Sequence, residues 1–254
     1  MDKPRKMRNK ILYILLSIAL LAAWEYFGSS SQTARLLLSS PSLIVKYFGE
    51  NTAILMQATQ VTLIEAAAGL LIATAFSFGM MILCFYFPKL MDFVLPIMVT
   101  SQVIPLIVLA PFFIILMGIG LGSKIAMAAL MCFFPIFVNF AQGYKAISPN
   151  IHELMHIYNA GAWTRIRQVY FPLSMPSIMA GLKISATLAV IGAIVAEFNG
   201  AEMGLGKNLF LAAKRLEPDL MMSSLLLSTF LGVMFFGLIY LIERRTCQWA
   251  NNNI

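Results

Sequence analysis

Charge is what this chain has least of. Asp, Glu, Lys and Arg make up 11% of its 254 residues, hydrophobic residues make up 60%, and mean hydropathy is +0.83. A soluble domain carries roughly a quarter charged residues, so this balance excludes an ordinary water-surrounded core and fits a chain whose solvent is lipid. Histidine occurs only twice, at positions 152 and 156. The three cysteines (Cys84, Cys132, Cys247) are an odd number without metal-like spacing, which argues against a disulfide frame and reads as buried small hydrophobes. No GxxxxGK[ST] loop is present, so the chain does not hydrolyse ATP by that route. The apolar segments hold no series of carboxylates and no visible repeated half, features that many ion-coupled carriers show.

What is present is a set of long apolar runs. Six candidate spans fall at Ile11–Phe27, Val61–Phe87, Val94–Met117, Ile125–Phe140, Ser177–Phe198 and Met221–Ile242. The first follows DKPRKMRNK, with five Lys/Arg, and runs into Trp24-Glu25-Tyr26-Phe27 rather than a small-residue cleavage site. It therefore reads as an uncleaved span and not a signal peptide. Net charge is +7. In a soluble protein that would suggest nucleic acid; here the positive-inside rule explains it and no nucleic-acid partner is expected. With the N-terminus inside, cytoplasmic segments hold eleven Lys/Arg and outside segments six, among them Arg35 and Lys124. The expectation is an all-α membrane protein of six transmembrane helices with both termini in the cytoplasm.

Prolines 96, 105 and 111 interrupt the third span and its approach, and Pro135 the fourth. Such breaks serve either as packing kinks or as the lining of a pathway. Polar residues within the spans are few. Ser101, Gln102 and Asn139 are candidate pathway positions because they sit in kinked helices. Glu65, near a span end, is expected to be a water-exposed structural residue. Glu197, also a candidate pathway residue, is followed by Asn199, Gly200, Gly204 and Gly206 and reads more readily as a loop anchor.

The longest polar insert lies between the fourth and fifth spans. Its His152-Glu153-Leu154-Met155-His156 matches the letters of the zinc-protease HExxH motif. A zinc site needs a third protein ligand. No further histidine exists, and the next acidic residue, Glu197, lies across the membrane in this topology, so no metal is expected. The insert reads instead as two short helices. Ile151, Leu154, Met155 and Tyr158 fall at i, i+3, i+4 and i+7 as one apolar stripe, and Asn159 is a residue that accepts the left-handed turn of a helix stop. A second segment, 162–170, sets Trp163, Ile166 and Tyr170 on one face with Arg165 and Arg167 around it, and Pro172 and Pro176 lead into the fifth span. This pattern suits a groove on a soluble partner, or a helix lying on the membrane surface.

The insert resembles the EAA motif of binding-protein-dependent ABC transporter permeases, E-A-A-x3-G-x9-I-x-L-P. Glu153 stands at the motif's Glu, Leu154 and Met155 at its alanines, Asn159 at its glycine, and Val169-Tyr170-Phe171-Pro172 at I-x-L-P. The departures are bulkier residues, which imply a partner groove shaped to accept them. IPLIVLAPFFIILMGIGLGSKI, CFFPIFVNFAQGYKAISP, PSIMAGLKISATLAVIGAIVAEF and SSPSLIVKYF extend the likeness to the nitrate/sulfonate/taurine-type permeases over nearly the whole chain.

The resemblance implies one permease domain over residues 1–254, with a type I importer core at about 58–245 and a coupling loop at 148–172. It further implies a bacterial inner-membrane subunit that pairs with a second copy. Two P-loop ATPase subunits bind beneath and an extracytoplasmic binding protein delivers solute. ATP and magnesium belong to the ATPase and this chain carries no cofactor. The residues implied in ATPase contact are Glu153, Leu154, Met155, Tyr158, Asn159, Ala160, Gly161, Trp163 and Pro172, with Arg165 and Arg167 at the rim. The transported solute implied is a small one: a sulfonate, taurine, nitrate, a thiamine-precursor pyrimidine or riboflavin.

Overall fold

The computed structural model describes residues 3–30 and 38–248, and among the described residues all regular structure is helical. Arg35, counted above among the outside charges, lies outside the described residues, as do the side chains of the N-terminal basic cluster.

Helix α1 (Lys3–Ser29) packs mainly on the short α2 (Pro41–Glu50). The Trp24 indole donates to the Ser39 carbonyl at 3.0 Å, and the Glu25 carboxylate accepts the Ser42 amide at 3.0 Å and its hydroxyl at 2.5 Å. Ser42 lies in the first turn of α2, where unpaired amides favour an anion. Leu15, Leu16, Leu20 and Leu21 of α1 are all more than half exposed, as befits a helix facing lipid or another chain.

Among the described residues four helices are long and apolar enough to cross a membrane: α3 (Thr52–Tyr86), α6 (Leu121–Lys145), α8 (Ala162–Gly200) and α10 (Pro218–Thr246). The apolar stretches Leu15–Ser29 in α1 and Ile107–Met117 are shorter. Each long helix outruns its apolar sequence segment, because backbone hydrogen bonds continue past the hydrocarbon edge where the hydropathy signal stops.

At the centre α6 packs against α3 on one side and α8 on the other. Small residues make this close approach possible. A Cβ on Gly69 of α3 would stand 2.5 Å from the Ala128 Cβ, and one on Gly192 of α8 would stand 2.8 Å from the Ala128 Cα. Lower down, a Cβ on Gly181 would meet the Pro135 carbonyl at 2.9 Å. Lipid gives little hydrophobic drive for helix association, so tight small-residue contacts of this kind hold the bundle. All three cysteines are free and buried.

Two sequence expectations are corrected. The segment Val94–Met117 is not one helix. Helix α4 (Pro88–Ser101) ends before Pro105, a 3-10 turn covers Leu106–Leu109, and α5 (Ala110–Met117) follows. Proline pushes the residue before it out of the helical region, and Ile104 precedes Pro105. The fifth segment begins fifteen residues before Ser177, because Ala162–Arg165, a π turn at Ile166–Tyr170 and Phe171–Gly200 run on as one helix of 39 residues. Pro172 and Pro176 do not break it. In a regular α-helix the ring of Pro172 would strike the carbonyl of Gln168, and that carbonyl lies in the widened π turn.

Candidate functional site

The two ends of α8 carry the chain's chemically distinctive residues. At the first end lies α7 (Pro149–Ile157), whose stop follows the capping rules closely. Asn159 has φ of 50°, its N–H donates to the His156 carbonyl at 3.0 Å, and the Ala160 N–H donates to the Met155 carbonyl at 3.1 Å. This is a Schellman stop with asparagine in the left-handed place that glycine usually takes.

Helix α7 has no buried residue. The expected single stripe is divided: Ile151 and Met155 are half-buried against the body, whereas Leu154 is 45% exposed and Tyr158 73% exposed. Ile157, which was not singled out from sequence, is 80% exposed and completes the outward face with Leu154 and Tyr158. Its spacing of three from Leu154 was the available signal. Glu153, Asn159, Gly161 and Arg167 are exposed, Ala160, Arg165 and Pro172 half-buried, and Trp163 56% exposed. Trp163 and Arg167 border an apolar hollow of about 290 Å³ shared with Phe78, Phe85 and Phe140. The residues expected in ATPase contact thus fall between positions 153 and 172, in α7, the turn after it and the first turns of α8, and most of them are exposed. Within the HExxH letters His152 is half-buried, its Nδ1 hydrogen-bonded at 3.0 Å to the Tyr170 hydroxyl, and His156 is exposed.

At the other end Glu197 is fully buried and holds α9 (Leu205–Arg215) by its first turn. The Gly206 N–H donates to Glu197 Oε2 at 2.6 Å, and the Leu205 N–H donates to Thr62 Oγ1 at 2.9 Å. The Thr62 hydroxyl in turn donates to Glu197 Oε1 at 2.7 Å. Leu205 and Gly206 carry two of the amides that a helix start leaves unpaired, and the residue before them, Gly204, has no side chain to cap with. Thr62 of α3 and Glu197 of α8 supply that cap from a distance. The glycines are required: a Cβ on Gly204 would stand 2.3 Å from the Glu197 carboxyl, and one on Gly206 would stand 2.3 Å from the Ile194 carbonyl oxygen.

Glu65, expected at a water-exposed position, is 2% exposed and faces Glu197. Lys124, counted above as a loop charge, is 1% exposed in the first turn of α6, and its ammonium donates to the Ile119 carbonyl. Both residues border the same cavity between α3 and α6, but no ion pair within 4.0 Å joins them among the described residues, and Glu65 Oε2 has no hydrogen-bond partner there. Glu65, Lys124 and Glu202 border a cavity of about 270 Å³ with Val61, Ala201 and Met203. Ser101 is half-buried with its hydroxyl on the Met98 carbonyl at 2.8 Å, Gln102 is exposed at the break after α4, and Asn139 donates to the Pro135 carbonyl at 2.8 Å. None of these three borders that cavity.

A helical bundle with four membrane-length helices, small-residue packing and buried intramembrane charges defines a multi-pass membrane protein. Residues 75–247 match the family described as the binding-protein-dependent transport system inner membrane component, and the chain belongs to that family of ABC transporter permeases. Relatives match over nearly their full length. A probable ABC transporter permease protein of Haemophilus influenzae is 29% identical over 94% of this chain and 98% of its own. The formylaminopyrimidine transport permease ThiX of Halalkalibacterium halodurans is 28% identical over 92% and 94%. The putative aliphatic sulfonates transport permease SsuC of Bacillus subtilis is 24% identical over 98% and 92%.

Proposed function

We propose that this chain is the membrane-spanning subunit of an ATP-driven importer, that it forms the solute pathway with a second copy of itself, and that α7 is the element on which each of two P-loop ATPases pulls. The observation that carries the reading is the outward face of α7. Leu154, Ile157 and Tyr158 stand 45%, 80% and 73% exposed on a helix with no buried residue, beside the exposed Trp163. Large apolar side chains on a short polar-flanked helix are what a groove on a soluble partner accepts. The exposed Glu153 on the same helix favours a protein groove over a lipid surface.

In this reading the chain crosses the membrane six times, with α1 and the broken segment 88–117 as the two remaining crossings and both termini inside. Burial of Lys124 within α6 supports the orientation, because removing it from the outside count leaves eleven basic residues inside against five. The α7 end is then cytoplasmic, and the end held by Glu197 is external, where a solute-binding protein delivers its load. Ser101, Gln102 and Asn139 are assigned to the pathway, and Glu197 acts there by holding the α9 loop. The transported solute is a small one of the kind named for the relatives, such as an aliphatic sulfonate or a formylaminopyrimidine. The ligand that copurifies with the cognate binding protein would identify it.

The test is a Leu154→Asp, Tyr158→Asp double variant. It should insert normally and lose copurification with the ATPase encoded alongside it; undiminished copurification sinks the assignment. Glu65 and Glu197 also fit a carrier driven by an ion gradient. Uptake that survives ATP depletion while the gradient is held would select that reading instead.

A further inference from the structure

Helix α7 touches the body through few side chains, and one of them is hydrogen-bonded. His152 sits against two tyrosine rings of a three-ring aromatic cluster drawn from three helices. Its ring lies 5.6 Å from Tyr144 at the end of α6 and 5.0 Å from Tyr170 in the π turn of α8. Tyr170 in turn stacks on Phe85 at the end of α3, at 5.7 Å and 26°. Phe85 and Tyr144 meet edge to face at 4.7 Å. Tyr170 and Ile166, both from the π turn, are buried together with Ile147. A π turn inside an α-helix is rare and marks functional positions more often than chance. This one turns Tyr170 inward onto the only α7 side chain that hydrogen-bonds to another helix among the described residues.

We propose that the His152–Tyr170 contact is the joint through which movement of α7 is delivered to α8, with His152 and Tyr170 as positioning residues for coupling. The proposal rests on the reading of α7 as the ATPase-docking helix. A face of three exposed apolar residues can be gripped, but a grip moves the bundle only if α7 is fastened on its other side. Ile151 and Met155 supply apolar contact there, which slides. The His152–Tyr170 hydrogen bond is directional and fixes register. It also ends on the segment of α8 where hydrogen bonding is already weakened by Pro172 and Pro176, so a small displacement meets the compliant part of the helix.

The experiment uses the complex with its copurifying ATPase in lipid nanodiscs. Cys84, Cys132 and Cys247 are 1%, 0% and 3% exposed, so a spin label on Met203→Cys, at a position 42% exposed, reports selectively from the connection between the far end of α8 and α9. Trapping with ATP, magnesium and vanadate should shift the label's spectrum. In Tyr170→Phe and in His152→Leu the equilibrium constant of that shift should fall about fivefold, the factor of one average hydrogen bond, with the ATPase still bound. His152→Asn, whose amide reaches the position of Nδ1, should restore it. A shift of full size in Tyr170→Phe and His152→Leu would overturn the joint. So would loss of the shift together with loss of bound ATPase, because the residues would then hold α7 in place and not transmit its motion. Absence of any nucleotide-dependent shift in the unsubstituted complex would instead overturn the docking reading, and the joint with it.

Discussion

Replacing Glu197 separates a capping role from a charge role. In Glu197→Ala the Gly206 amide loses its acceptor in a fully buried site, and Thr62 loses one of two acceptors while keeping the Ala58 carbonyl at 3.2 Å. One orphaned buried amide costs about 1–3 kcal/mol, and deleting the buried side chain adds a cavity cost, for a total of about 2–4 kcal/mol. Glu197→Gln behaves differently. The amide oxygen can take the Gly206 N–H while the amide nitrogen donates to Thr62 Oγ1, provided the Thr62 proton turns to Ala58. The second amide hydrogen faces the Glu65 carboxyl, which can accept it, so the expected cost is below about 1 kcal/mol. The assay is hydrogen exchange of the peptide spanning 199–212 in nanodiscs, read beside thermal stability. Alanine should open the first turn of α9 and speed exchange at Leu205 and Gly206, whereas glutamine should leave both slow. Equal protection in the two variants, or equal loss, would refute the reasoning, because the first denies the cap and the second makes the negative charge itself the requirement.

Three further outcomes follow from the packing and the turns. Gly69→Leu, set against Ala128 at 2.5 Å, should separate α3 from α6 and cost more than about 3 kcal/mol, seen as loss of folded protein in detergent, while the exposed Gly79, whose Cβ would meet nothing, should accept alanine within about 0.5 kcal/mol. Asn159→Gly should be neutral or stabilising by up to about 1 kcal/mol, and Asn159→Val should destabilise by about 1–2 kcal/mol at φ of 50°, measured by thermal unfolding. Lys183→Met should lower stability by about 1–3 kcal/mol, since it leaves the half-buried Glu243 without the bidentate partner it now has at 2.7 and 2.8 Å; the Lys183→Met, Glu243→Leu pair should recover most of the loss in the same assay.

The long apolar helices were legible because hydropathy sums over many residues, and the α7 stop was legible because a left-handed turn restricts which residues can occupy it. Asn159 met that restriction at φ of 50°. The errors lie where meaning depends on a neighbour distant in sequence. Lys124 looked like a loop charge and Glu65 like a surface carboxylate. Only the packing of α3 against α6, set by Gly69 and Ala128, brings them into one buried group. Likewise Glu197 was readable as a loop anchor from the glycines after it, but Thr62 gave no local sign of sharing the cap. Its partners Leu205 and Glu197 lie 143 and 135 residues away. The prolines misled for the opposite reason. Pro172 and Pro176 marked the approach to a fifth span at Ser177, whereas one helix runs through both, and the Gln168 carbonyl that Pro172 would strike lies in the π turn.

That π turn determines where α8 can bend. Pro172 and Pro176 each remove a backbone donor one turn apart, and the π turn lengthens the hydrogen-bonding pattern just before them. From there to Glu197 the helix is uninterrupted and wedged against α6 through Gly181 and Gly192, so it is stiff. Compliance is therefore concentrated in residues 166–176, beside His152, and rigidity in the stretch of roughly 30 Å that ends at Glu197. A rod of this kind does not dissipate a displacement along its length. At its far end Glu197 holds α9 through one hydrogen bond from the Gly206 amide, and Thr62 of α3 adds the bond from Leu205. The proposed joint at Tyr170 therefore acts on the compliant end of α8, and Glu197, which holds α9, stands at its stiff end.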